Sequence, residues 1–183
     1  MKRYKKSKGL GVVSLAEGAL LGKIEDLQFD LETGQVYGFR IKGPGVFAKT
    51  GGVAAEAVHR LGRDLLLVQR EADVEWAGER RNPEDGRAWA SRYLKSRVLT
   101  RRGVNLGSVE DFLLGGEPLF VKALLVDGER MVALDQSVAL GRDAVVLDDA
   151  TVLQPLPEEG VEGWWDRVRD AFSSEKVDEE KPK

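Results

Sequence analysis

Apolar side chains recur at every second position along much of this 183-residue chain. Tyr37, Phe39 and Ile41 alternate with Gly38 and Arg40, and similar short runs are separated by glycine-rich turns. A period of two places successive side chains on opposite faces of a β-strand, whereas a helix has a period near 3.6. Many short strands separated by regular turns predict an all-β fold of the antiparallel sandwich or barrel type.

Part of the sequence occurs twice. Residues 13–29 match residues 98–114 at an offset of 85, and LGRDLLLV (61–68) matches LGRDAVVL (140–147) at an offset of 79. The matched positions in the first pair of segments are Val13 with Val98, Gly18 with Gly103, Leu21 with Leu106, Gly22 with Gly107, Glu25-Asp26 with Glu110-Asp111, and Phe29 with Leu114. Two copies of about 55–65 residues are therefore predicted, the second with a shorter middle.

The alternation reverses at the two acidic pairs, Glu25-Asp26 and Glu110-Asp111. Ile24 is in one phase and Leu27 is in the other, and the second copy repeats this change. One inserted residue reverses the phase, so a β-bulge or sharp coil is predicted at each pair. Adjacent strand side chains point to opposite faces, so the acids are not expected to converge on a metal or a proton-transfer site. A solvated bulge or a structural hydrogen bond to nearby amides is the prediction.

Three motifs resemble the PRC-barrel domain, a small β-barrel found in the photosynthetic reaction centre H subunit and in a bacterial ribosome maturation factor. They are V-x-S-L-x-x-G-x-x-L-G-K-I-E-D-L-x-F-D (12–30), E-T-G-Q-V-Y-G-F (32–39) and A-x-x-A-V-x-x-L-G-R-D-L-L-L-V (54–68). The resemblance implies a closed sheet of about six strands. It also implies a structural and protein-contact module without catalytic residues. The expected fold is therefore two tandem small antiparallel PRC-type barrels.

The chain between and around the two copies is divided as follows. The sequence predicts a basic disordered tail at residues 1–8, the first copy at 9–78 and a helical linker at 79–96. It predicts the second copy at 97–157, an amphipathic helix at 158–172 and a disordered tail at 173–183. The linker helix is predicted within residues 82–95, because Asn82 suits the N-cap and Pro83 the first helical position. Trp89 and Tyr93 are four residues apart and share one face of that helix.

Residues 158–172 contain a helical apolar stripe. Its members, which are the predicted partner-binding residues, are Val161, Trp164, Trp165, Val168 and Phe172. The stripe could dock on the protein's own barrel, in a homodimer, on a separate protein partner or at a membrane interface. The polar face mixes acidic and basic residues, which does not favour anionic lipid.

The N-terminus carries a run of basic residues. Lys2, Arg3, Lys5, Lys6 and Lys8 could contact nucleic acid or anionic lipid. A solvated, disordered tail is the commoner structure of such a run.

The segment GPGVFAKT (43–50) differs at Ala48 from a phosphate-binding P-loop. A P-loop needs a helix after it, and Gly51-Gly52 discourages one. A glycine-rich hairpin loop, with Phe47 folded onto the barrel, is predicted instead.

Composition excludes several kinds of chemistry. The chain has no cysteine, one histidine (His59) and a formal net charge of −3. Thiolate metal sites, disulfides and a cysteine nucleophile are therefore excluded, and His59 is expected at a surface or interface. We expect no catalytic residues, no metal and no cofactor. With no apolar run of about 18 residues, the protein is expected in the cytoplasm. The predicted function is a non-enzymatic adaptor or regulatory protein-binding module; the alternatives are an RNA- or ribosome-associated maturation factor and a membrane-peripheral assembly factor.

Overall fold

The computed structural model describes residues 1–46, 48–77 and 86–156. These residues form two eight-stranded sheets, one short α-helix and three 3-10 helices. The chain begins with strand β1 (Lys2–Arg3) and helix α1 (Tyr4–Ser7). The prediction of an all-β fold is confirmed.

The N-terminal sheet is built mainly from the first half of the chain. Its strands are β2 (Gly11–Ser14), β3 (Leu20–Asp30), β4 (Val36–Lys42), β5 (Thr50–Ala54), β6 (Val58–Leu61), β7 (Leu65–Val68), β8 (Val74–Ala77) and β9 (Arg87–Trp89). Their order is β6-β7-β2-β3-β4-β5-β8, and β9 also pairs with β3. The β2–β7 pair is parallel. The neighbouring pairs are antiparallel.

The C-terminal sheet repeats this arrangement. Its strands are β10 (Arg97–Thr100), β11 (Asn105–Gly115), β12 (Phe120–Val126), β13 (Arg130–Ala133), β14 (Val138–Leu140), β15 (Ala144–Leu147) and β16 (Gln154–Pro155), together with β1. Their order is β14-β15-β10-β11-β12-β13-β16, with β1 beside β11. Here too one pair, β10–β15, is parallel. The 3-10 helices cover Ala55–Ala57, Glu71–Asp73 and Ala90–Tyr93.

Residues at the same pairing position in the two sheets are called counterparts below. Val12 lies opposite Gly22 in the first sheet and Val98 lies opposite Gly107 in the second, so Val12 and Val98 are counterparts. The sequence match of Val13 with Val98 is therefore wrong by one residue. The turn that follows β10 is one residue shorter than the turn that follows β2. The offset between counterparts is therefore 86 before this turn and 85 after it.

Both predicted β-bulges are confirmed. The register of β3 against β4 shifts between Ile24 and Asp26, and that of β11 against β12 shifts between Val109 and Asp111. Each bulge is therefore located at an acidic pair, where the hydrophobic alternation changes phase.

Each half of the chain supplies the first segment of the other half's sheet. Strand β1 pairs with β11, whereas its counterpart β9 pairs with β3. The turns that follow also correspond, since Gly9 and Lys95 both have positive φ, +81° and +70°. Their amides donate to the carbonyls of Ile24 and Val109, which are themselves counterparts. Residues 2–7 and 88–93 are thus exchanged between the two sheets, and the chain returns to its own half's sheet at Gly9 and Lys95.

The two sheets are joined by backbone hydrogen bonds and by one core. Val36 N–H donates to Leu119 O (2.9 Å), and its counterpart Val121 donates to Gly34 O (2.8 Å). One hydrophobic cluster contains buried residues of both sheets. Phe29 of the first sheet packs on Phe112 of the second, with ring centroids 5.8 Å apart.

Three predictions of architecture are wrong. Within the described residues neither sheet closes into a barrel, because alternation shows which side chains face inwards but not whether the outermost strands meet. The described part of the predicted linker helix forms β9 and the 3-10 helix Ala90–Tyr93, since β3 offers an edge with which β9 pairs. Asn82 and Pro83 lie outside the described residues. Residues 1–8 are ordered, with Tyr4 fully buried.

Candidate protein-binding surfaces

An apolar patch covers the outer face of β2, β3 and β7. Leu20 and Leu65 are 60% and 40% exposed. They meet over Gly11, because a β-carbon added at Gly11 would lie 3.0 Å from Leu65 Cδ2 and 3.3 Å from Leu20 Cδ1. Gly11 pairs with Leu65 on one side and with the exposed Lys23 on the other. We call Gly11, Leu20 and Leu65 the leucine patch.

The C-terminal sheet lacks this patch. Arg97 pairs with Ala144 where Gly11 pairs with Leu65, and Asn105 stands in the position of Leu20. The strand order is the same in both sheets, so the fold does not require leucine at these positions. Exposed leucines on only one of two matching faces make this face a candidate contact surface.

A cleft of about 810 Å³ separates strand β6 from the turn at residues 116–119. Its wall contains Phe39 and His59 from the first half of the chain and Leu119 from the second. Strand β6 is at the end of the N-terminal sheet, so its outer edge borders this space. His59 is exposed, with its Nδ1 3.3 Å from Gln69 Nε2, which confirms the prediction of a surface histidine.

The first acidic pair converges on one guanidinium. Arg40 Nε lies 2.8 Å from Glu25 Oε2, and Arg40 Nη2 lies 3.2 Å from Asp26 Oδ2. The prediction that the two acids point apart is therefore wrong, because the bulge removes the strict alternation of faces. The predicted structural hydrogen bonds to amides are present, from Leu27 N (2.9 Å) and Ser91 N (3.2 Å) to Asp26 Oδ1.

The second acidic pair has different partners. Asp111 Oδ1 accepts hydrogen bonds from the amides of Lys5 (2.9 Å) and Phe112 (2.8 Å). Leu125 occupies the position of Arg40, so this acid faces no guanidinium there. Burial raises the pKa of Asp111. Hydrogen bonds from the Lys5 and Lys95 side chains lower the pKa of the partly exposed Glu110 to about 2.

The basic residues of the N-terminus are spread over several contacts. Lys2 Nζ donates to the backbone carbonyls of residues 62 and 63, and burial lowers its pKa. Lys5 pairs with Glu110, and the Lys8 ammonium lies 5.8 Å from the Tyr4 ring centroid. Arg3 is half-buried and Lys6 is exposed. Contact of these residues with nucleic acid or lipid stays a prediction.

The segment that resembles a P-loop is a hairpin connection between β4 and β5, as predicted. Gly43 N–H donates to Lys49 O (2.8 Å), and the chain continues as a strand. The Trp76 ring lies beside Gly43, and the two residues line a small cavity of about 330 Å³ with Pro44 and Lys49. Phe47 lies outside the described residues.

The predicted partner-binding stripe also lies outside the described residues. Its members are Val161, Trp164, Trp165, Val168 and Phe172. None of the helices in the described ranges is long and apolar enough to span a membrane. In the same ranges, no three His, Asp or Glu side chains are grouped to hold a metal ion.

Sequence reasoning missed the leucine patch and the buried Tyr4. A comparison of the two copies position by position shows the leucine patch, because Gly11 stands where the second copy has Arg97. The signal for Tyr4 is weaker. Residues 2–9 align with 88–95 at an offset of 86, which places the basic run in a repeated structural element.

The described residues define an all-β protein with two sheets of the same strand order. The sequence model of the PRC-barrel domain family matches residues 1–69, and this match suggests a module for protein interaction or assembly. The matched residues extend from β1 to the end of β7 and include the segment that packs on the C-terminal sheet. A comparison with curated protein sequences found no match.

Proposed function

We propose that the chain is a non-enzymatic adaptor or regulatory module built from two PRC-type copies, and that it binds a protein partner on the leucine patch. The family match supports the protein-binding role, and the shared strand order of the two sheets supports the second copy. A cytoplasmic location stays a prediction from the sequence.

The observation that carries the proposal is the difference between the two outer faces. Leu20 and Leu65 are exposed over a glycine, whereas the counterparts are Asn105, Ala144 and an arginine. Exposed leucines have no role in the packing of the sheet, but they provide apolar area that a partner can bury.

The shape and charge of the patch define the partner's contact segment. The two leucine side chains lie close over Gly11 and form one continuous apolar surface. Lys23, which pairs with Gly11, places an ammonium at the margin. The fitting segment therefore carries an apolar side chain next to an acidic one, because the acid pairs with Lys23 and the apolar group packs against the two leucines.

A transplant of the counterpart residues tests this proposal. The variant Gly11→Arg, Leu20→Asn and Leu65→Ala gives the N-terminal sheet the residues of the C-terminal one. A photo-crosslinking amino acid at position 20 first captures the partner in native extract, and its affinity for both proteins is then measured by calorimetry. The loss of two leucine contacts predicts binding weaker by about tenfold or more.

A matched control places the same photo-crosslinker at Asn105, where no partner is expected. Unfolding by urea checks that the transplant leaves the fold intact, as surface changes do. Equal affinity of the partner for wild type and transplant, or capture from position 105 but not from 20, would contradict the proposal.

A further inference from the structure

The outer face of the C-terminal sheet contains a second hydrophobic cluster. Four of its residues are completely buried, although they point away from the core that joins the two sheets. They are Leu113, Ala123, Leu125 and Met131. Neighbours along β12 show the two faces, since Leu124 belongs to the joint core and Leu125 to this cluster.

The corresponding face of the N-terminal sheet is polar. The counterparts of the four buried residues are Gln28, Gly38, Arg40 and Gly52. Arg40 there pairs with the bulge acids and lies over the ring of Trp89, 4.5 Å from its centroid. The two sheets have the same strand order, but only the C-terminal sheet has an apolar outer face. An apolar face requires a covering layer of side chains, whereas a polar face does not.

Among the described residues, the partly buried apolar side chains that pack on this cluster are Met1, Ala133 and Leu156. Three large side chains buried on an open sheet face need a layer of side chains across the width of three strands, about 10 Å. The cluster is buried in the single chain, so the remaining cover comes from other residues of the same chain.

The course of the chain indicates which segment this is. Strand β16 pairs with β13, and Leu156 N–H then donates to Glu129 O (2.8 Å). Leu156 is the last described residue and already packs on the cluster. Pro157 follows in the sequence and has no backbone N–H to donate to a strand ladder.

We propose that residues 157–172 fold back over Leu113, Leu125 and Met131, with the stripe that contains Trp164 and Trp165 facing them. Four residues separate Leu156 from Val161 and span up to about 13 Å, enough to turn from the sheet edge onto its face. The helix that the stripe predicts over residues 161–172 would be about 18 Å long, enough to cross three strands. Its two tryptophans would then bury about 150–250 Å² each.

Thiol labelling of the full chain tests the proposal, since the protein contains no cysteine of its own. Leu125→Cys reports on the outer face, and Leu124→Cys is the matched control on the inner face. We expect slow labelling of both in the otherwise wild-type chain. Adding Trp164→Ala and Trp165→Ala should accelerate labelling at position 125 by about tenfold or more and leave position 124 slow.

Three labelling results overturn the proposal. They are rapid labelling of position 125 from the start, continued protection in the tryptophan variant, and loss of protection on dilution, which would mean that a second copy of the chain covers the face. If position 124 is also exposed, the whole fold has opened, and NMR contacts between the Met131 methyl and indole protons in the wild-type chain then decide. Their presence supports the proposal and their absence overturns it.

Discussion

The Tyr4 hydroxyl donates a 2.6 Å hydrogen bond to Asp26 Oδ1. Helix α1, which contains Tyr4, is attached to the C-terminal sheet through the bond from Lys5 N to Asp111. Asp26 belongs to the N-terminal sheet, so one side-chain hydrogen bond ties the two sheets together. Burial raises the pKa of Tyr4, and the bond to Asp26 raises it further, so the phenol remains a donor at neutral pH.

Removal of the Tyr4 hydroxyl should weaken the fold. Tyr4→Phe leaves the ring, which packs edge-to-face on Phe112, and deletes only the bond to Asp26. We expect the free energy of unfolding to fall by about 1.5–3 kcal/mol, the range for a bond to a charged acceptor. Urea denaturation measures the change. Tyr93→Phe is the control, since its hydroxyl lies 3.4 Å from Leu140 O, and an equal loss there would contradict the prediction.

The two bulge acids should respond differently to neutral replacement. Asp26→Asn breaks the ion pair between the fully buried Asp26 and the largely buried Arg40, and it leaves the guanidinium without that partner, so we expect a loss of about 3 kcal/mol. Asp111→Asn keeps an oxygen for the two amide donors and faces Leu125, so its loss should be clearly smaller. Both are measured by urea denaturation at neutral pH. A larger loss for Asp111→Asn would refute the assignment.

Stability should depend on pH through Asp111. Burial raises the pKa of this carboxyl above its ordinary value of 3.8, so the folded chain holds the proton more tightly than the unfolded chain. Above the pKa that Asp111 has in the folded chain, its buried negative charge lowers the free energy of unfolding. This destabilisation disappears as the pH falls towards the pKa of Asp111 in the unfolded chain. Between about pH 7 and pH 4, wild type should therefore gain stability relative to Asp111→Asn. Urea denaturation of both proteins across this range measures the difference. If wild type instead loses stability relative to Asp111→Asn as the pH falls, the prediction is wrong.

Gly34 should tolerate no side chain. Its φ is +74°, and a β-carbon would lie 2.5 Å from Val121 O, at the junction of the two sheets. Gly34→Ala should cost about 2–4 kcal/mol, since backbone strain and a clash act together. Gly18→Ala is the control, because Gly18 also has positive φ (+64°) but nothing within 4 Å of its added β-carbon. Its cost should be about 1 kcal/mol. Similar unfolding midpoints for the two variants would show that the clash is relieved.

Local patterns predicted the strands, the two bulges and the hairpin at 43–50. Each depends on side chains a few residues apart, as when Ile24 and Leu27 fall on the two sides of a phase change. Local patterns misassigned residues 87–93 and 1–8. The spacing of Trp89 and Tyr93 suits a helix, but β3 has an edge that pairs with β9. The basic run suits a solvated tail, but Tyr4 is buried against Phe112.

The sequence by itself determined the all-β class, the two matching halves and the places where their strands bulge, because hydrophobic period and phase are properties of neighbouring residues. Only the tertiary structure decided that the sheets stay open, that residues 2–7 and 88–93 are exchanged between them, and that Asp26 meets Arg40 and Tyr4. Those outcomes depend on which strand edges and buried acids find partners far along the chain, and such long-range pairings leave no period in the sequence.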